Sequence, residues 1–263
     1  MIKNWLLTGD CHRIFSRFRR LDKKYQNEET AVIILGDAGF NVTLDQDDAD
    51  TKRAYCKHNQ FYTYCVRGNH EARPQDCPNI KTMWDDNVDG RIYYDIDFPR
   101  IRYFFDYGIY TINGYRTLVM GGAYSVDKHY RLARGLHWFQ NEQLTTQEQL
   151  MCRQLAHGQH FDLVLTHTCP YDWRPTDLFL RGLDQSTVDN TMERFFESFK
   201  DSITFDVWCF GHYHADRIER PGVEMFYTEI ENLEEIMTRW DKYQESGHLD
   251  WWLSKGPNFY IGE

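Results

Sequence analysis

The chain has 263 residues, 41% of them hydrophobic, enough for one large α/β domain with a substantial core. A formal net charge of −10 with no basic stripe excludes non-specific binding of nucleic-acid backbones, long duplex DNA included. The apolar stretch at residues 1–7 is too short for a signal peptide and no run reaches the roughly 18 apolar residues of a membrane span. Seven cysteines with no Cys-x-x-Cys argue against a disulfide framework, so a cytoplasmic protein is expected.

In chain order, a first predicted strand runs into Gly9-Asp10-Cys11-His12, and period-two alternation points Cys11 away from its neighbours, into packing. Ile14, Phe18, Leu21 and Tyr25 then recur at helical spacing. A second strand ends in Gly36-Asp37-Ala38-Gly39. The acidic run 45–50, just before Thr51-Lys52-Arg53, reads as a helix start favoured by the dipole. A third strand ends in Arg67-Gly68-Asn69-His70-Glu71.

Closely spaced strands at 92–97, 101–105, 109–112 and 116–120, with a turn at Asn113-Gly114, are expected to form the antiparallel part of a second sheet. Gly121-Gly122 follows and permits close backbone approach, with Ser125 read as the cap of the next helix. The strand 163–166 ends in His167. Val188, Met192, Phe195 and Phe199 form a helical stripe before a last strand that ends in Gly211-His212-Tyr213-His214. A hairpin at Pro221-Gly222 and an amphipathic helix at about 231–244, docked through Leu233, Ile236, Met237 and Trp240, complete the pattern. The fold class expected is α/β: two mixed β-sheets packed face to face, flanked by helices, within a single domain over 1–263.

Five apolar runs thus end in metal-ligand residue types, and ligands in open α/β sheets bind beyond the carboxyl ends of strands. Carboxylate, imidazole and amide oxygen without thiolate suit hard-to-borderline divalent ions held for reaction. Two such ions about 3.5–4 Å apart can clamp an in-line displacement at phosphorus, with Asp37 the natural bridge. His58, His129, His137, His157 and His160 lack ligand-type neighbours and are expected at the surface or in packing.

The ordered set Asp-x-His, Gly-Asp, Gly-Asn-His-Glu, His and Gly-His-x-His resembles the calcineurin-like metallophosphoesterase superfamily, over roughly residues 5–217. The resemblance implies that Asp10, His12, Asp37 and His214 hold one divalent ion (Mn2+, Fe2+, Zn2+ or Ni2+) and that Asp37, Asn69, His167 and His212 hold a second. It also implies attack by a hydroxide shared between the ions, with His70 as general acid or leaving-group stabiliser, a role expected of an imidazole whose surroundings raise its pKa modestly, and Asp37 as the shared catalytic ligand.

The serine/threonine phosphatases of the superfamily read Gly-Asp-x-Val-Asp-Arg-Gly at the second motif. This chain reads Gly36-Asp37-Ala38-Gly39-Phe40-Asn41-Val42, without the supporting acid or the phosphate-gripping arginine. Arg73, Lys128, Arg131 and Arg174 are candidate replacements for that grip or, alternatively, solvated surface cations. The segment 121–128 with Arg131 and Trp138 resembles bacterial and phage members.

The resemblance implies a phosphomonoesterase acting on a phosphorylated small molecule, a nucleotide or a phosphoprotein. Alternatives are a phosphodiesterase or nucleotide pyrophosphatase, whose base the Trp173 segment could stack, and a non-catalytic scaffold. The intact ligand set argues against the scaffold, since unfilled ligands bury charge without a partner.

Overall fold

The computed structural model describes residues 1–179 and 185–246. Its strands and helices are, in order, β1 (Asn4–Thr8), β2 (Thr30–Leu35), α1 (Gln46–His58), β3 (Tyr62–Val66), β4 (Ile80–Asp85), β5 (Gly90–Asp95) and β6 (Ile101–Tyr103). Next come β7 (Tyr107–Ile112), β8 (Tyr115–Met120), α2 (Lys128–Arg134), α3 (Thr146–Ala156), β9 (His160–Thr166), α4 (Thr191–Lys200) and β10 (Thr204–Phe210). The hairpin strands β11 (Arg217–Arg220) and β12 (Val223–Met225), the short β13 (Glu231–Asn232) and α5 (Leu233–Ser246) close the order.

Both sheets are mixed. The first runs β13-β1-β2-β3-β6-β5-β4, with β1, β2, β3 and β6 parallel and antiparallel partners at each side. The second runs β11-β12-β10-β9-β8-β7, with β8, β9, β10 and β12 parallel between antiparallel edges.

Alternation along each strand explains the layering. Leu7, Ile33, Leu35, Tyr64 and Val66 of the first sheet meet Val119, Leu163, Leu165, Val207 and Cys209 of the second in one buried cluster. The intervening residues face outward: Leu6, Val32, Ile34 and Cys65 pack with Phe18, Phe40 and Tyr55, while Leu118, Val164, Trp208 and Phe210 pack with α3 and α4. Strands buried on both faces read as continuous apolar runs, which is why β2 shows no polar position after Thr30.

The strands of 80–120 depart from expectation, because they divide between the sheets. β6 pairs in parallel with β3, so β4, β5 and β6 extend the first sheet, and only β7 and β8 join the second. A buried cluster locks this choice: Arg102 of β6 donates to Tyr64 Oη at 2.6 Å and pairs with Asp85 of β4. The stripe 14–25 forms no α-helix either. It makes two 3₁₀ turns, Ser16–Arg20 and Lys23–Tyr25, with Phe18 fully buried and Ile14 64% exposed. Arg17 dictates this by reaching back to Thr8 Oγ1 (2.9 Å), the Asp10 carbonyl (2.6 Å) and the Tyr227 carbonyl, which pins the segment to the end of β1.

Other expectations hold. Asp45 caps α1 by accepting from Asp47 N, Asn113 and Gly114 turn with φ of 53° and 84°, and α5 buries Leu233, Ile236, Met237 and Trp240 against the inter-sheet core. All seven cysteines are free, and among the described residues no helix is long and apolar enough to cross a membrane.

Candidate metal centre

Every ligand-type residue expected from the motifs lies just beyond the carboxyl end of a parallel strand, on one rim. The turns that carry them are strained. Among the described residues, His12, Arg13, Asp37, His212 and His214 adopt φ between 46° and 72°, a left-handed conformation that non-glycine residues hold only where surrounding contacts impose it. Two glycines permit the crowding: a Cβ at Gly36, whose φ is 99°, would enter the His167 ring, and one at Gly68 would enter the Asp37 carboxylate.

Asp10 is 1% exposed. Its Oδ1 accepts from His212 N at 2.8 Å, while its buried Oδ2 accepts no hydrogen bond and lies 3.3 Å from His214 Nε2 and 3.5 Å from His12 Nε2. The His12 and His214 Nε2 atoms are themselves 2.9 Å apart. Asp37 Oδ2 is 3.6 Å from His167 Nε2 and 4.0 Å from His12 Nε2, so it lies between two groups of donors, Asp10/His12/His214 and Asp10/Asp37/His167, each with ligand atoms within 4.8 Å of one another. Asn69 Oδ1 adds a contact of 2.9 Å to His167 Nε2, and the His212 ring packs edge-on to His167 with centroids 4.9 Å apart.

The tautomers test the fit to a cation. His167 Nδ1 donates to the Leu35 carbonyl at 2.8 Å, which turns Nε2 inward as a lone pair toward Asn69 Oδ1 and Asp37 Oδ2. Buried acceptors facing acceptors need a shared positive charge. With protons alone the site supplies it at His167: burial disfavours that charge, but Asp37 and Asp10 overcome it and hold the ring up at about 9. Burial and the charge of His167 push His212 down to about 3, leaving it neutral, the form that ligates. The carboxyl groups of Asp37 and Asp10 are opposed by burial yet drawn well below the usual carboxylate range by His167. Carboxylate oxygens and imidazole nitrogens around the orphaned Asp10 Oδ2, with the Asn69 amide oxygen and Asp37 beside His167, fit divalent ions.

His70 stands beside this cluster. Its N–H donates to Asp37 Oδ1 at 2.9 Å, and its Nε2 lies 4.0 Å from Asp37 Oδ2 and 3.9 Å from Asp127 Oδ1. Phe40 and Asn41, at the departures in the second motif, turn away from the rim: Phe40 is core, and Asn41 Oδ1 accepts from buried Lys52 at 2.7 Å. Asp127 is an acid that sequence spacing did not single out. Its Oδ2 accepts from Arg131 Nε at 2.8 Å and its buried Oδ1 has no hydrogen-bond partner.

Of the four candidate cations, Arg131 alone lines the roughly 200 Å³ cleft formed with His12, Arg13, Asp37 and His70. Arg73 is 5% exposed and fully engaged by Asp106, Glu148 and the carbonyls of Asn141 and Gln143. Arg174 lies over the Tyr171 ring and donates to Asn190, and the Lys128 ammonium sits 4.1 Å from the Trp138 ring centroid. Trp173 is 4% exposed and packs on Trp208, leaving no face for a base. Cys11 is buried with Leu6 and Phe18, its thiol pushed up to about 12 by burial.

Sequence reasoning missed Arg13 on the cleft wall and Glu71 beneath it. Glu71 Oε1 accepts from Gly39 N (2.6 Å) and Phe40 N (3.0 Å), which fixes the loop after Asp37; burial pushes its carboxyl up to about 7. It also missed a third donor group at the opposite ends of β9 and β10, where His160 lies 3.2 Å from Asp206 and 3.8 Å from Asp162.

Two mixed sheets facing one another, with carboxylate and imidazole donors at the ends of their parallel strands, form a candidate divalent-metal site of the kind that phosphoester hydrolases carry. The sequence model of the calcineurin-like phosphoesterase family matches residues 4–216, and the chain belongs to that family. No curated protein matches the sequence. Among solved structures it is similar to a phosphopantetheinyl hydrolase from Mycobacterium tuberculosis, with 13% identity, 98% of each chain covered and a TM-score of 0.39. A 5'-nucleotidase from Candida albicans is similar at 13% identity and a TM-score of 0.38, over 86% of this chain but 45% of that one. Neither likeness is close enough to transfer a substrate.

Proposed function

We propose that the chain is a dinuclear metal-dependent phosphomonoesterase. The observation that carries this reading is the orphaned, buried Asp10 Oδ2 surrounded by the inward nitrogens of His12 and His214, beside the acceptor group of Asp37, Asn69 and His167. Asp10, His12, Asp37 and His214 would hold one divalent ion, and Asp37, Asn69, His167 and His212 the other. When bound, the ions supply Lewis acidity toward phosphoryl oxygens and an activated water.

The chain's own residues do the rest. Arg131 offers cationic donors to the phosphoryl group in the cleft, and His70 presents an Nε2–H to the departing alkoxide. Burial holds the His70 ring below its ordinary value, against the pull of Asp37, whereas a general acid needs a raised one; near pH 7 the ring is therefore a neutral imidazole that steadies the departing oxygen by an Nε2–H hydrogen bond, and the alkoxide takes its proton from water. The cleft accommodates a phosphoryl group, and a groove of about 460 Å³ on the other side of His12, lined by Arg20, Leu21 and Tyr227, leaves room for the alcohol portion. That same groove supports the second reading, a phosphodiesterase, since a diester needs space for another substituent. Seven unpaired cysteines support a reducing, cytoplasmic setting, and α5 packed on the inter-sheet core supports one domain.

The test is turnover of p-nitrophenyl phosphate against bis-p-nitrophenyl phosphate with manganese, nickel or zinc, and Asp37→Asn as control. Monoester turnover should dominate and fall at least ~100-fold in the variant. Full activity in Asp37→Asn would sink the two-ion reading, and faster diester cleavage would select the second reading.

A further inference from the structure

Ser125 is fully buried, yet its hydroxyl caps no helix: α2 begins at Lys128 and receives no side-chain cap. Its backbone N and Oγ both donate to Glu142, at 3.1 Å and 2.5 Å, and Trp138 Nε1 donates to the same carboxylate at 2.8 Å. On the other side, Asn69 Nδ2 donates to Ser125 Oγ at 2.9 Å.

Glu142 takes donors at both oxygens, Ser125 N at Oε1 and Trp138 Nε1 at Oε2, the pattern of the ionised form, and this sets the direction of the chain. A carboxylate only accepts, so the single hydroxyl proton of Ser125 goes to Glu142. The Ser125 oxygen must therefore accept, and only the NH2 end of Asn69 can donate to it. Asn69 Oδ1 is thereby turned toward His167 and Asp37, the end an ion requires. Gly122 lets the segment lie on the third motif: its N donates to the Arg67 carbonyl at 2.8 Å, a Cβ there would meet the Arg67 guanidinium, and Arg67 Nη1 donates to the Glu142 carbonyl at 2.7 Å.

We propose that Ser125 and Glu142 are positioning residues that select which end of the Asn69 amide faces the metal centre. The inference rests on the reading of Asn69 as a ligand. An amide, unlike a carboxylate, has a wrong end, and outer-shell partners that orient a ligand are typically worth 10- to 100-fold in metal affinity. Glu142→Gln is the isosteric change: its NH2 must face a donor at either end, Ser125 N or Trp138 Nε1, and at the Trp138 end it donates to Ser125 Oγ and reverses the chain.

The test is calorimetric titration of Mn2+ into the metal-free full chain, comparing wild type, Ser125→Ala, Glu142→Gln, Asn69→Asp, Asn69→Ala and the double variant Asn69→Asp/Ser125→Ala. Ser125→Ala and Glu142→Gln should each weaken one of two ions about 10- to 100-fold. In the Asn69→Asp background Ser125→Ala should cost nothing, since both carboxylate ends are oxygen. Wild-type affinity in both single variants, or an equal loss in both backgrounds, overturns the inference. Should Ser125→Ala not fold, the isosteric Glu142→Gln, alone and with Asn69→Asp, carries the same comparison. Two ions held undiminished by Asn69→Ala would instead overturn the ligand reading, and the inference with it.

Discussion

Asp37 grips the backbone of His70: its Oδ1 accepts the His70 N–H at 2.9 Å, while its Oδ2, 4.0 Å from the His70 ring, faces the inward nitrogen of His167. The main chain of His70 is thus tied to the proposed bridging ligand, but its imidazole is not. Chemistry at the ring and integrity of the centre are separable in this arrangement.

Replacing His70 by Gln keeps that N–H. Bound manganese, counted by elemental analysis, should stay near wild type, while turnover of a phosphomonoester falls by roughly 10²–10³-fold, the size of one lost hydrogen bond to a developing oxyanion. Loss of an ion in this variant would recast His70 as a ligand.

Arg131 and Arg174 give a second contrast. Arg131→Ala removes one of the cleft's two arginines, Arg13 being paired with Asp48, and should raise KM about tenfold, the equivalent of a charge-assisted hydrogen bond of ~1.5 kcal/mol. Arg174 is spent on Tyr171 and Asn190, so Arg174→Ala should leave KM within about twofold, inside the small range of surface substitutions. Steady-state kinetics on both variants decide the matter, and the opposite ranking would move the phosphate grip to Arg174.

The ligand types were legible because each ends a short continuous apolar run bounded by glycine or polar residues, a local pattern that fixes which end of the strand a residue occupies. What the pattern lacked was partners at long range. Arg73 looked like a cation near a motif, yet Asp106 and Glu148, which consume it, come from other elements. Ser125 looked like a cap because its neighbours in sequence begin a helix, whereas Glu142 satisfies it from 17 residues away. β4 escaped notice as an edge strand with several exposed positions, and its pairing with β5 drew that hairpin into the first sheet rather than the second. Helical spacing at 14–25 was real but was overridden by Arg17, whose contacts to the β1 end and Tyr227 no periodicity encodes.

Outside the set of metal-ligand residues, Glu224 gives a pH dependence whose sign can be worked out. It is 2% exposed and shares Arg239 with Glu231: Arg239 Nη2 reaches its two oxygens at 2.8 and 2.6 Å, and Nη1 reaches Glu231 at 2.8 Å. Burial pushes the Glu224 carboxyl up to about 7, against the pull of Arg239. A folded-state value above the unfolded value of about 4.3 means that the fold prefers the protonated acid. This contribution is complete below about pH 4 and is lost as pH rises toward and through about 7. Glu224→Gln cannot titrate, so its stability relative to wild type should improve between pH 5 and pH 8, by at most ~3 kcal/mol, on top of a constant offset for the altered bond to Arg239. Denaturant unfolding of the metal-free proteins across that range measures the gap, and a gap that does not move with pH would show that Glu224 is ionised throughout, with Arg239 neutralising it ahead of Glu231.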